Sequence, residues 1–277
     1  MDTVIIPSTV VFLRAIQGSA AQPFVVDVRR AEAFTGDTHI IAGATWRDPF
    51  LVADWVKFLP RHRAVVVYCV HGHEISKNVA SALCNAGVDA TYLAGGIEAW
   101  REAGGALCKK SSSLTIPSPA NAPSVWVTRE RPKIDRIACP WLVRRFIDPL
   151  AEFVYVPAGD VLSFSKMNNA IAYDVPEVQF THRGERGDLC SFDALIADFD
   201  LHDVALAGLA RIVRGADTGN LGLTPQSHGL LAVSLGLSAL YQDDQEMLKY
   251  GMVIYDALYA WLKTAQSEIH NADMFKK

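Results

Sequence analysis

Cysteine is scarce in this chain of 277 residues: there are five, at positions 69, 84, 108, 139 and 190, an odd set without a C-x-x-C pair. That spacing excludes a disulfide framework or a zinc ribbon and predicts reduced thiols. Long apolar runs are missing as well. The stretch from Leu230 to Leu240 holds Ser234 and Ser238 and falls well short of the ~20 residues of a membrane span. The start, Met1-Asp2-Thr3-Val4-Ile5-Ile6-Pro7, has an acid where a secretory leader carries positive charge. A cytoplasmic location and no membrane partner are therefore expected. Nor does one sign of charge dominate, since 26 Lys and Arg stand against 30 Asp and Glu. The resulting net charge of −4 gives no general attraction to nucleic acid, which is not expected as a partner. Internal repeats are absent too.

What is present is enough for two ordinary cores: half the residues are hydrophobic and a fifth are charged. The break between them is legible. Ser111-Ser112-Ser113 and three prolines, Pro117, Pro119 and Pro123, make a solvated, partly extended segment. We read domains at 1–107 and 123–277 with a linker at 108–122.

Before the linker, strand and helix patterns alternate. A helix capped by Ser8 is followed by strand 24–28, a short strand at Thr45-Trp46 and a helix near 49–58. Strand 64–69, helix 75–86, strand 90–93 and helix 95–102 complete the set. This order predicts an α/β fold, a parallel sheet with helices on both faces. After the linker a mainly helical α+β domain is expected. Its strands lie at Trp126-Val127, 153–156 and 171–173, and a helix over 135–146 contains Pro140. Further helices are expected at 192–199, 203–213, 225–238 and 245–264.

The chemistry of the first half centres on Cys69-Val70-His71-Gly72-His73-Glu74, between a buried-strand pattern and a helix start at Ile75-Ser76. Free N–H groups and the positive dipole end of that helix stabilise negative charge, a thiolate's or a bound anion's. Ligands of open α/β sheets bind at the carboxyl ends of the strands, where Cys69 is expected. A cysteine after a strand is by itself more often a buried small hydrophobe than a nucleophile. Its company changes that reading: Asp27-Val28-Arg29, His39-Ile40-Ile41-Ala42-Gly43-Ala44, and Leu93-Ala94-Gly95-Gly96-Ile97-Glu98-Ala99-Trp100.

In order and spacing these segments resemble the rhodanese homology domain over residues 1 to 107. The resemblance implies sulfur transfer, with Cys69 as the nucleophile that carries a persulfide. It also implies an anion cradle from Val70, His71, Gly72, His73, Glu74, Ile75 and Ser76, with Arg29 at its edge. The partners would be a small anionic sulfur donor and a thiol acceptor, and no cofactor is required. The related phosphatases have a loop one residue longer, closed by arginine, and are disfavoured. One departure stands out: the loop offers His71, His73 and Glu74 where many thiosulfate-using relatives place cations. Thiosulfate turnover is therefore expected to be weak, with a persulfide as the alternative donor. Gly95, Gly96 and Trp100 read as packing.

The second half contains Lys133 to Pro149, Phe180-Thr181-His182-Arg183-Gly184, Arg214-Gly215-Ala216-Asp217, and Tyr255 to Trp261. This set resembles the C-terminal domain of ChrB-type chromate resistance proteins over about 123 to 265. His182, Asp193 and Asp217, with Asp256 and His228 as further candidates, form a possible divalent-metal set. The alternative reading makes them turn, first-turn and helix-end residues. Cys139 and Cys190 are either redox-active toward an oxyanion or inert buried thiols. Arg129, Arg131, Arg136, Arg144 and Arg145 make a basic face or an oxyanion site, the last three on one helix if Pro140 does not break it. The leading expectation is a sulfurtransferase linked to chromate resistance. A non-catalytic oxyanion-responsive regulator and a metal-dependent activity of the second domain are the alternatives. The Leu- and Ala-rich C-terminal helices can support a homodimer.

Overall fold

The computed structural model describes residues 5–110, 123–185 and 188–268. In the N-terminal module α1 (Val10–Ile16) leads to β1 (Phe24–Asp27), α2 (Ala31–Gly36), β2 (His39–Ile41) and β3 (Ala44–Trp46). Next come α3 (Val52–Trp55), extended by a 3-10 turn at Val56–Phe58, then β4 (Val65–Tyr68), α4 (Glu74–Asn85), β5 (Ala90–Tyr92), α5 (Gly96–Glu102) and β6 (Leu107–Lys109).

Four parallel strands run in the order β3-β1-β4-β5, with Phe24–Asp27 level with Val65–Tyr68. Strand alternation divides the core in two. Phe24, Val26, Val65 and Val67 pack on one face with Trp55, Val79 and Leu83. Val25, Val66 and Tyr68 pack on the other with Leu13, Ile97 and Trp100. The expected sheet with helices on both faces is what the chain forms.

Two details differ from the sequence reading. Thr9, not Ser8, caps α1, because its hydroxyl accepts from the Phe12 amide at 3.1 Å. Ser8 is engaged elsewhere, in a bridge to Leu93 beside β5. Cys108 and Lys109, assigned to the linker, belong to β6, which pairs antiparallel with β2. The rest of the linker, 111–122, lies outside the described residues.

The second module is built on a small parallel sheet, β8-β7-β9, from β7 (Val125–Arg129), β8 (Glu152–Val156) and β9 (Ile171–Ala172). Helices cover it: α6 (Asp135–Leu142), α7 (Val161–Asn168), α8 (Ser191–Asp198), α9 (Val204–Asp217), α10 (Pro225–Leu240) and α11 (Asp244–Ala260). Pro140 neither starts nor breaks α6, which continues as a π turn through Val143–Ile147. Proline has no N–H for the carbonyl four residues back. That carbonyl, of Arg136, accepts from the hydroxyls of Tyr155 (3.4 Å) and Tyr173 (3.3 Å) instead.

The modules share a core. Ala42, Ala106 and Cys108 of the first are continuous with the Trp126, Trp141 and Phe146 cluster of the second. Backbone bonds join them at Gly43 N–H to Phe146 (2.7 Å) and Lys109 N–H to Phe199 (2.8 Å). No helix among the described residues is long and apolar enough to cross a membrane.

Candidate functional site

Cys69 follows β4 directly, so it emerges at the carboxyl edge of the sheet between two central-strand neighbours. Its loop ends where α4 begins. Among the described residues no backbone carbonyl accepts from the N–H groups of Val70 through Ser76, so these donors line the turn unspent. The Sγ of Cys69 lies 3.3 Å from the Ser76 hydroxyl, which also donates to the His73 carbonyl at 3.1 Å. Gly72 sits at φ +68, and a Cβ there would fall 2.5 Å from the Leu93 carbonyl oxygen.

Gly96 does more than pack. A Cβ on it would collide with the carbonyl oxygens of Cys69 and Val70. The first amides of α5 bind those same carbonyls, Ile97 to Cys69 at 3.0 Å and Glu98 to Val70 at 3.2 Å. Trp100 is packing, fully buried and donating to the Ala106 carbonyl.

A cavity of about 290 Å³ opens on the thiol, lined by Cys69, Val70, His71, His73, Glu74 and Ile75 with Arg29, Arg30 and Ala33 from across the cleft. Gly72 and Ser76 are behind the loop and buried. Cys69 itself is 5% exposed, so a donor reaches it only through this opening.

Arg29 is not available to an anion, which corrects the expectation drawn from its position. Its guanidinium binds Asp27 through Nε and Nη2, Asp37 at 2.6 Å through Nη1, and the His39 carbonyl. Burial opposes its charge, but Asp27 and Asp37 outweigh that and raise its pKa. Among the described residues, the cation at the cleft that makes no ion pair is Arg30, exposed and stacked near Phe50. Sequence inspection passed over it. The signal was the Arg29-Arg30 doublet at the strand end, where one side chain turns in and the next must turn out.

In the second module the sequence-derived metal set does not assemble as expected. His182 and Asp217 do meet, Nε2 to Oδ2 at 3.1 Å. Asp193 is elsewhere: it binds Arg214 at 2.6 Å and closes a capping box with the Cys190 amide. Asp256 is paired with Arg145 and Trp141, and His228 is exposed on α10. Joining His182 are Asp174 and Asp135, at 3.5 and 3.9 Å.

Asp135 is the first residue of α6 and accepts from the amides of Ser191 and Phe192 at the start of α8. Burial, then the charges of Asp217 and Asp174, push its carboxyl well above the usual range. Burial also works on Asp174, but His182, Ser191, Arg129 and Arg136 outweigh it and hold its pKa down. Cys139 and Cys190 are sealed in, and burial followed by Asp135 drives both thiols up, which keeps them protonated and inert.

The arginines do not form an open basic face. Arg136 binds Asp174 and the Glu130 carbonyl, and Arg144 binds the Ala151 carbonyl over the Phe153 ring. Arg145 binds Asp256, while Arg131 is bound by carbonyls of Ser238, Tyr241 and Gln242. The π turn and these partners consume the charge that spacing alone had placed on one helix face.

A parallel sheet with a C-x-x-G-x-x-x-S loop at its carboxyl edge defines a rhodanese-like module, and residues 10–103 match the family model for the rhodanese-like domain. Residues 126–262 match the model for the ChrB C-terminal domain, so the chain joins one domain of each kind. Protein ChrB of Cupriavidus metallidurans is 36% identical over 135 residues, covering 48% of this chain and 39% of that protein. The chain thus spans well under half the length of this relative. A rhodanese-related protein of Thermoplasma volcanium is 23% identical, covering 36% of this chain and 95% of its own, with a TM-score of 0.32. A Bacillus halodurans protein is 26% identical, covering 36% and 74%, with a TM-score of 0.33.

Proposed function

We propose that the protein is a sulfurtransferase that carries sulfane sulfur on Cys69. The observation that carries this reading is the placement of the Cys69 thiol. It lies at the mouth of a turn of unspent amides, beside the Ser76 hydroxyl, on a cleft that Arg30 borders. The thiolate attacks the outer sulfur of the donor. A bond forms between Cys69 Sγ and that sulfur, the donor's S–S bond breaks, and the leaving group (sulfite from thiosulfate, a thiolate from an alkyl persulfide) departs with the electron pair. An acceptor thiolate then attacks the terminal sulfur, and Cys69 leaves as thiolate. The loop amides stabilise the anionic persulfide between the two steps, joined by the Ser76 hydroxyl when its one proton turns from the His73 carbonyl to the sulfur. No metal or organic cofactor enters the cycle.

The cleft of about 290 Å³, with Arg30 and the acid Glu74 at its rim, favours a small donor. Similarity of residues 126–262 to ChrB adds a role in chromate resistance to this proposal, with sulfur chemistry as the contribution of the first module.

Intact-mass measurement before and after exposure to thiosulfate or glutathione persulfide tests the reading. Transfer predicts a gain of about 32 Da, one sulfur atom on the nucleophile, removed by cyanide or thiol and absent in Cys69→Ser. No gain with either donor leaves the first module as an anion-binding regulator and ends the sulfurtransferase reading.

A further inference from the structure

The second module gathers ionisable groups that sulfur transfer does not use. One donor atom each from Asp135, Asp174 and His182 lies within 4.8 Å of the others. His182 Nε2 is 3.1 Å from Asp217, 3.5 Å from Asp174 and 3.9 Å from Asp135. An ion bonded at about 2.0–2.2 Å spaces adjacent donors by roughly 2.8–3.1 Å in octahedral and 3.3–3.6 Å in tetrahedral geometry. The His182 separations fall in or near these ranges, the one to Asp135 closing by about 0.3 Å.

Position supports the same conclusion. Asp174 follows β9 and Asp135 opens α6 beside the end of β7, so the group stands at the carboxyl edge of a parallel sheet, where such sheets bind ligands. Asp135 is 1% exposed, and among the described residues His182 is the one basic side chain within ion-pair distance of it. His182 is about one-third exposed (35%), which gives an ion a way in.

A further buried group lies on the sheet that carries this cluster. Thr128, in β7, is wholly buried, and its hydroxyl has no partner among the described residues. Its register partner in β8 is Tyr155, whose hydroxyl reaches the first turn of α6. Strand alternation therefore puts the Thr128 side chain on the face that α6 covers, as for Trp126 two residues before it. A buried hydroxyl without a partner is costly unless a ligand or its water completes it.

We propose that Asp135, Asp174 and His182, with Asp217 facing the same His182 nitrogen, bind one divalent first-row metal ion of the Mn²⁺, Fe²⁺ or Zn²⁺ class. Two carboxylate oxygens and an imidazole nitrogen suit these ions, and no thiolate is offered. The site is independent of the Cys69 reading.

Equilibrium dialysis of the full chain against Mn²⁺, Zn²⁺ and, without air, Fe²⁺, followed by elemental analysis, tests it. One equivalent of at least one ion is expected per chain, with affinity lowered at least tenfold in His182→Ala and in Asp174→Asn. A double variant, His71→Ala with His73→Ala, whose rings are 5.8 Å apart, is expected to bind like the parent and controls for adventitious binding elsewhere. Thermal melts establish folding of each variant, and His182→Ala decides alone if Asp174→Asn does not fold. No stoichiometric binding of any of the three ions overturns the proposal, as does binding undiminished in His182→Ala.

Discussion

Gly96 carries no side chain because the carbonyl oxygen of Cys69 occupies the space that a Cβ would take. The nucleophile's loop is thus held from behind by the start of α5, through the bonds from Ile97 and Glu98. Gly96 also sits at φ +60, a conformation costing other residues about 1–3 kcal/mol. Gly96→Ala is therefore expected to lower the melting temperature and to displace the loop. A misplacement of about 1 Å at reacting groups costs on the order of 100-fold in rate. Stopped-flow persulfide formation should fall by that order while thiol titration still counts Cys69. A rate within twofold of the parent would mean that the loop holds its shape without α5.

Arg30 supplies the cation that the loop itself lacks. Arg30→Gln is expected to reduce kcat/KM for thiosulfate about tenfold, the scale of one exposed charge contact of about 1 kcal/mol or slightly more. An alkyl persulfide, with at most one charge where thiosulfate has two, should be affected less, by about threefold at most. Because Arg30 is exposed and makes no ion pair among the described residues, the melting temperature should not move. Equal losses for both donors would assign Arg30 to the shape of the cleft rather than to charge recognition.

Asp37 ties the rim of the sheet to α5 by binding Arg29 and Arg101. Burial alone would raise its pKa. The His39 amide and the two arginines outweigh burial and bring it down to about 2. An unfolded aspartate titrates near 3.9, so the folded value is depressed. The stabilisation is complete above about pH 4 and is lost as the pH falls toward the folded value near 2. Urea unfolding of Asp37→Asn should show a shallower loss of stability between pH 4 and pH 2 than the parent, with the two curves converging at the acid end. Parallel curves across that window would remove Asp37 from the acid response.

The N-terminal module was largely legible because its central strands are mostly apolar runs that end at a turn. Val65–Tyr68 and the Cys69 loop are examples. The β2 and β6 pair escaped because each strand has three residues, and His39 and Lys109 break any alternation. In the second module, Asp135, Asp174 and His182 come from a helix start, a strand end and a loop, with no fixed spacing that periodicity can detect. Asp193 misled for a local reason. A capping-box acid and a helix-end partner, Arg214, absorb its charge, and neither relationship points toward a metal. The role of Gly96 was hidden because it depends on a carbonyl 27 positions earlier, a contact that only the folded sheet creates.

Docking of the two modules extends this dependence on the fold to stability. Ala42, Ala106 and Cys108 belong to the same apolar cluster as Trp126 and Phe146, and β6 hydrogen-bonds to Phe199. Lys263, beyond α11, reaches the carbonyls of Arg14, Ala15 and Gln17 at the end of α1. A cation there completes orphan carbonyls and complements the helix dipole. Two domains sharing a core in this way should unfold as one unit, although a Ser- and Pro-rich segment separates them in sequence. Scanning calorimetry of the whole chain is expected to give a single transition, its calorimetric and van't Hoff enthalpies equal. Lys263→Met should lower that transition without splitting it, by an amount corresponding to about 1 kcal/mol. Two resolved transitions in the parent would mean that the cores are separable and that Lys263 merely spans a loose contact.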